Sequence, residues 1–247
     1  PGVDYNAHKP AYAQLESRLA KGFRSPISRV TDFQERDHFT PVGDRPAHGL
    51  LKALGGRSLC WAGHTLRFGP LDFRQWPISY DEVAPYYSRA ERFMGVYGNK
   101  DGLSNLPDGE FQKPVGMRCP EKMLHRGVRR LKALGRKMEF VAIRKAMPTE
   151  RHDSGRPVCH YCGHCMAGCE VDSKYTSANT PIPRALQTGR LSLFLNSTMT
   201  RILMARDGNK ISGIEYIDAQ GKANEIQCKY LVLSCSTIET ARQLLIS

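Results

Sequence analysis

Four cysteines, Cys159, Cys162, Cys165 and Cys169, fall within eleven residues, and no other stretch constrains the backbone so tightly. Their spacing, C-x2-C-x2-C-x3-C, is that of the bacterial ferredoxin run. A loop that wraps a cuboidal cluster must present a thiolate about every third residue. Gly163 and Gly168 relieve the crowding this imposes. Such density is unlike a disulfide framework, whose cysteines are dispersed. A structural zinc site usually joins two separated knuckles, and a second knuckle is missing. Glu170 replaces the proline that usually follows the fourth cysteine. In two-cluster ferredoxins that fourth cysteine serves the other cluster, so one loop need not supply every ligand. Three readings stay open: an iron–sulfur cluster first, then free or disulfide-linked thiols in a packed loop, then zinc.

The chain has 247 residues, enough for one large domain or two small ones. No apolar run approaches the roughly 18 residues of a membrane-spanning helix. The chain opens on Pro1-Gly2-Val3-Asp4 without an initiator Met or a signal peptide, so a processed or partial chain is expected. The compartment stays open between cytoplasm and periplasm. A net charge of +12 raises the question of a nucleic-acid partner. The basic residues, however, are spread out, and no nucleic acid is expected. The densest set is Arg126, Arg129, Arg130, Lys132, Arg136 and Lys137. It shares a predicted helix with Met123, Leu124, Val128, Leu131 and Leu134. A solvated helix face accounts for it, and a docking face for an acidic electron-accepting protein is the alternative.

Residues 1–50 are Pro-rich and polar, with short helices expected around Ala11–Ala20. A glycine-bearing turn follows from Gly55 to Gly63. Adjacent glycines allow positive φ and close approach of the backbone to another molecule. Their N–H groups can cradle a phosphate, although a tight turn without ligand is the commoner reason for two adjacent glycines. Ser79 and Glu82 form a capping box for a helix with Val83, Tyr86, Tyr87, Ala90, Phe93 and Met94 at helical spacing. Gly95 ends it, and Pro85 sits past the first turn. A second helix is expected over Pro120–Leu134, ending at Gly135. Extended chain around Met138–Ala142 leads to the cysteine loop of residues 155–175, and a helix fits near Pro183–Gln187.

The last third, residues 190–247, changes character. Leu191–Leu195, Met199–Ala205, Ile211–Ile217 and Ala223–Cys228 read as a meander of extended segments. Its turn signals are Asp207-Gly208-Asn209 and Asp218–Gly221. Tyr230–Ser234 then predicts a buried strand of a different sheet. Ser236 and Glu239 predict a second capping box opening a helix over Thr237–Ile246. The fold class is α/β with α+β mixing: an open sheet rejoined after a meander, with ligands expected at the carboxyl ends of its strands.

These segments resemble, in order and spacing, the glucose–methanol–choline (GMC) oxidoreductases. Gly55-Gly-Arg-Ser-Leu-Cys-Trp-Ala-Gly63 is similar to that family's flavin loop, Gly-Gly-x-Ser-x-x-x-Gly-Gly. Trp76-Pro-Ile-Ser-Tyr through Glu91 resembles the helix after it. Ser236-Thr-Ile-Glu-Thr-Ala-Arg-Gln-Leu-Leu-Ile-Ser247 resembles the second signature, Gly-Ala-Ile-x-Thr-Pro-x-Leu-Leu-x-Ser. The resemblance implies an FAD-binding Rossmann-like domain of the glutathione-reductase type, present in part, and oxidation of the CH–OH groups of alcohols or sugars. It implies that Gly55, Gly56, Ser58, Trp61 and Gly63 lie along the flavin. Met199 would meet the adenine, and Ser234 and Ser236 would sit near the cofactor. The flavin loop of residues 55–95 and the 236 junction would thus share one groove.

The chain departs from the family at Ala62, Ser236 and Ala241, each of which adds side-chain bulk near the cofactor path. No Gly-x-Gly dinucleotide fingerprint occurs. The family's catalytic histidine and its partner are expected beyond Ser247, so the catalytic base is unassigned and the chain alone is expected to be inactive. Some relatives resemble this chain in carrying a cysteine cluster that passes electrons from flavin to a quinone or a cytochrome. The rival classes are a ferredoxin-like electron-transfer module and a basic zinc-binding module, both without flavin catalysis.

Overall fold

In the computed structural model, residues 53–163, 165–167 and 169–247 are described. The helices expected around Ala11–Ala20 lie outside them. The chain divides into two units, with the boundary between Gln187 and Thr188.

In the first unit, α1 spans Tyr80–Met94. The Ser79 hydroxyl accepts the Glu82 N–H, and the Glu82 carboxylate accepts the Ser79 N–H at 2.7 Å, so the capping box forms as the sequence predicts. These bonds hold the Glu82 carboxyl below its usual value, the Ser79 backbone N–H first. Gly95, at φ 63°, ends the helix, and Pro85 is carried inside it. Next comes β1, Val96–Tyr97. Helix α2 spans Cys119–Ala133, one residue earlier at each end than predicted. None of its residues is buried, and Met123, Leu124, Leu131 and Leu134 are exposed. β2, Lys145–Ala146, pairs antiparallel with β1. It also meets the end of the glycine turn: Ala146 N–H donates to Gly63 O at 2.8 Å and Thr65 N–H to Arg144 O at 3.0 Å. The chain around Met138–Ala142 forms no strand, and α3 spans Pro181–Gln187.

The interior of this unit is unusually polar. Val96, Phe73, Ala146 and Met147 are buried, but so are Arg67, Glu91, Arg144, Arg156 and Lys174. Buried charges persist only when paired or fully hydrogen-bonded. Arg144 accordingly pairs with Asp108 at 3.0 Å, donates to Pro107 O and lies over the Phe111 ring. Arg156 donates to Ser173 O and to Met94 O, tying the end of α1 to the segment after the cysteine loop. Burial pulls its guanidinium down to about 10.

In the second unit, β3 (Thr198–Met204), β4 (Ile211–Ile217) and β5 (Ala223–Gln227) form an antiparallel meander in the order β3-β4-β5. The predicted meander is thus present, without Leu191–Leu195, which form no strand. The helix α4 spans Thr237–Leu245. Gln243 is buried, and its Nε2 donates to Met199 O at 3.0 Å, fastening α4 to β3.

Two expectations are corrected here. Tyr230–Ser234 is not a buried strand: Tyr230 is 90% and Val232 83% exposed. A strand exists through its ladder partners, and among the described residues none pairs with this segment. All pairing between named strands is antiparallel. Nor does the second capping box form. Ser236 stands at φ 81° and ψ 165° with no side-chain cap bond, and the Glu239 carboxylate accepts instead from Arg242 Nε at 3.0 Å. That backbone region is essentially confined to glycine, the residue the resembled signature carries there. Ser236→Gly is therefore expected to stabilise the protein. Relief of about 1–3 kcal/mol of strain exceeds the roughly 0.5–1 kcal/mol entropic cost of glycine. A shift of the urea-unfolding midpoint to higher denaturant would show it.

Candidate functional site

The glycine turn is built by two left-handed residues. Gly55 has φ 101° and Gly56 φ 51°, and a 3-10 turn follows over Gly56–Leu59. A Cβ on Gly55 would sit 3.1 Å from Ala178 Cβ, so the chain itself closes that side. At Gly56, among the described residues, nothing lies within 4 Å of the same position. A glycine backbone open in this way allows close approach of another molecule. The Ser58 hydroxyl donates to Gly55 O at 2.5 Å and accepts the Ser177 N–H at 2.9 Å. Trp61 Nε1 donates to Tyr175 O at 2.8 Å, with the two rings edge to face. Ser58 and Trp61 thus hold the loop's shape through bonds within the chain. Gly63, at φ 77°, joins the loop to β2. His64 is bridged to Lys145, and burial, then Lys145, lowers its pKa.

The cysteine loop carries four free thiols, Cys159, Cys162, Cys165 and Cys169, all partly buried. No disulfide links them. Main-chain N–H groups converge on two of the sulfurs: Tyr161 on Cys159 at 3.4 Å, and Ser173 and Lys174 on Cys169 at 3.2 and 3.4 Å. Lys145 Nζ stands 3.9 Å from Cys165 Sγ. Burial pushes the Cys159 thiol up, and the other three sulfurs add to the rise while the Tyr161 N–H opposes it. The four thiols therefore share one electrostatic neighbourhood. Among the described residues, no three His, Cys, Asp or Glu side chains are placed to hold a single metal ion.

Tyr97 adjoins this group. Burial pushes its phenol up to about 12, and Cys159 and Cys165 add to the rise. Because the folded value is raised, the stability it contributes is complete below the unfolded phenol value near 10 and is lost as pH rises towards 12. Tyr97→Phe is expected to flatten the fall in thermal stability across that window.

The segment after the last cysteine holds the residues that sequence reasoning missed. Lys174 is 1% exposed. Its Nζ donates to Leu59 O at 3.0 Å, Trp61 O at 2.9 Å and Cys165 O at 2.6 Å. Burial lowers its pKa, and Cys165, Cys169 and Cys60 oppose the shift. Tyr175 N–H donates to Ala146 O at 2.8 Å. Residues 173–178 thus lie against the glycine turn from Gly55 to Trp61 and against Cys169. No periodic signal marks such a segment, because its side chains bond main-chain atoms.

In the second unit, Met199 lies in β3 beside a register shift, and its carbonyl is engaged by Gln243. Ser234 and Ser236 are exposed.

A sequence profile of GMC oxidoreductases matches residues 47–247. The chain is 32% identical over 213 residues to 2-methyl-1,2-propanediol dehydrogenase of Mycolicibacterium austroafricanum, covering 80% of this chain and 37% of that protein. It is 28% identical over 218 residues to the fructose dehydrogenase large subunit of Gluconobacter japonicus, covering 83% and 39%. Gluconate 2-dehydrogenase flavoprotein of Pantoea cypripedii is 21% identical over 231 residues, covering 78% and 37%. The chain thus matches less than two fifths of the length of each of these relatives. A profile that runs through the glycine turn, the cysteine loop and the 236 junction places this chain in the GMC oxidoreductase family.

Proposed function

We propose that the full-length protein is an FAD-dependent dehydrogenase that oxidises the CH–OH group of an alcohol or sugar and passes electrons to a quinone or a cytochrome. The observation that carries this reading is the open backbone at Gly56, held from behind by residues 173–178. FAD, when bound, supplies the hydride acceptor. This chain's residues position it: Gly55, Gly56 and Gly63 shape the turn, and Ser58 and Trp61 lock it. Met199, Ser234 and Ser236 are proposed to complete a Rossmann-like site in the intact protein. The relatives named for a diol, a ketose and a sugar acid support a polyhydroxylated substrate. Among the described residues, no helix is long and apolar enough to cross a membrane.

The four cysteines carry a finer proposal from their sequence spacing, an iron–sulfur cluster that would supply one-electron transfer, although the described residues place no three of them around a single metal ion. Their spacing and the N–H groups on Cys159 and Cys169 support it, since hydrogen bonds to sulfur tune such clusters. The denatured extract of the full-length protein is expected to absorb near about 450 nm, as free flavin does. A colourless extract refutes the flavin reading. Iron and acid-labile sulfide analysis of anaerobically purified protein decides the cluster separately, and protein free of both removes it.

A further inference from the structure

We propose that Lys174 couples the cysteine loop to the glycine turn: one buried ammonium ties Cys165 O to Leu59 O and Trp61 O, so that a change of state among the thiols reaches the cofactor-facing backbone. An –NH3⁺ group has three donors. Here each meets one carbonyl, two from the glycine turn and one from the cysteine loop. Among the described residues, the hydrogen-bond acceptors of this ammonium are these main-chain carbonyls. Fixed main-chain partners and near-complete burial leave the side chain no slack, because losing any one bond strands a buried donor and a carbonyl.

The same residue is fixed from the thiol side through its backbone. Lys174 N–H and Ser173 N–H both donate to Cys169 Sγ. Replacement or movement of that sulfur therefore acts directly on residues 173 and 174. The side chain of Lys174 then carries the change to Leu59 and Trp61. Charge-assisted networks of this kind respond as units. Lys174 is thus a positioning residue, acting on the turn rather than on substrate.

Trp61 reports on the turn independently of any cofactor. Trp61 and Trp76 are the tryptophans of these 247 residues, and subtracting the emission of the same full-length protein carrying Trp61→Phe isolates the Trp61 signal from that of any other tryptophan. In full-length protein carrying Trp76→Phe, Cys169→Ser is expected to shift Trp61 emission. It is also expected to weaken FAD binding about threefold or more when Lys174 is present. Both responses should vanish in Lys174→Met and return in part in Lys174→Arg, which keeps the charge and the donors. Lys174→Gln replaces Lys174→Met if the latter does not fold. An emission shift that persists without the ammonium overturns the coupling. So does the absence of any shift when only Cys169 is changed, a comparison that needs no variant at 174. The affinity measurement rests on the flavin reading. A full-length protein that binds no FAD would sink that reading, while Trp61 emission still decides the coupling.

Discussion

Replacing Glu91 by alanine is expected to destabilise the first unit by about 3–5 kcal/mol, the cost of stranding a buried charge. Arg67 Nε donates to Glu91 Oε1 at 2.7 Å and Nη2 to Oε2 at 2.6 Å, and the two side chains are 4% and 6% exposed. Nη2 also donates to the Ser88 hydroxyl at 2.9 Å and Nη1 to the Tyr80 hydroxyl at 3.3 Å. The Glu110 N–H donates to the same carboxylate at 3.1 Å. One carboxylate thus fastens α1 to the chain at 67 and to the loop at 110. The Glu91 hydrogen bond is the first cause of a guanidinium pKa raised above its ordinary value, so Arg67 cannot escape by losing its proton. Glu91→Gln retains the volume and one acceptor and should cost less. Pairing Arg67→Met with Glu91→Ala should cost less than the sum of the single changes, because no charge is then left alone. Urea unfolding of the four proteins tests this; additive costs would show that the pair is not the anchor.

Gly55→Val in the full-length protein is expected to abolish retention of FAD through purification. Its φ of 101° lies where a β-branched residue is strained by about 1–3 kcal/mol. Its Cβ would also press on Ala178 Cβ at 3.1 Å and Ala178 N at 3.2 Å, the latter a backbone atom that cannot turn aside. Residues 177 and 178 would have to withdraw, taking with them the Ser177 N–H that fixes Ser58. Ser58→Ala removes the same bond without backbone strain, so it should loosen the cofactor less. Flavin content per chain after gel filtration separates the two. A Gly55→Val protein that keeps its flavin would dissociate the turn's conformation from binding.

Much of the local structure was readable from short-range chemistry. Ser79, Glu82 and Gly95 state the limits of α1 because caps are made between residues three or four apart. Glycines at 55, 56 and 63 announce a turn because glycine adopts their positive φ values without steric cost. The strands over 198–227 alternate around two polar turns. Reasoning failed where a segment depends on a distant partner. Tyr230–Ser234 has the composition of a buried strand, yet among the described residues no ladder forms on it. Ser236 has the residue type of a cap but a glycine backbone, so the resemblance in the signature was a better guide than capping chemistry.

By itself, then, the sequence determined the limits of α1, the glycine turn, the spacing of the thiols and the family. Only the tertiary structure decided that a lysine in an unremarked polar stretch binds carbonyls more than a hundred residues away in sequence, and that Glu91 is an interior anchor. The physical reason is that a capping or turn signal is carried by neighbouring residues, whereas a buried charge takes its meaning from whichever distant atoms satisfy it.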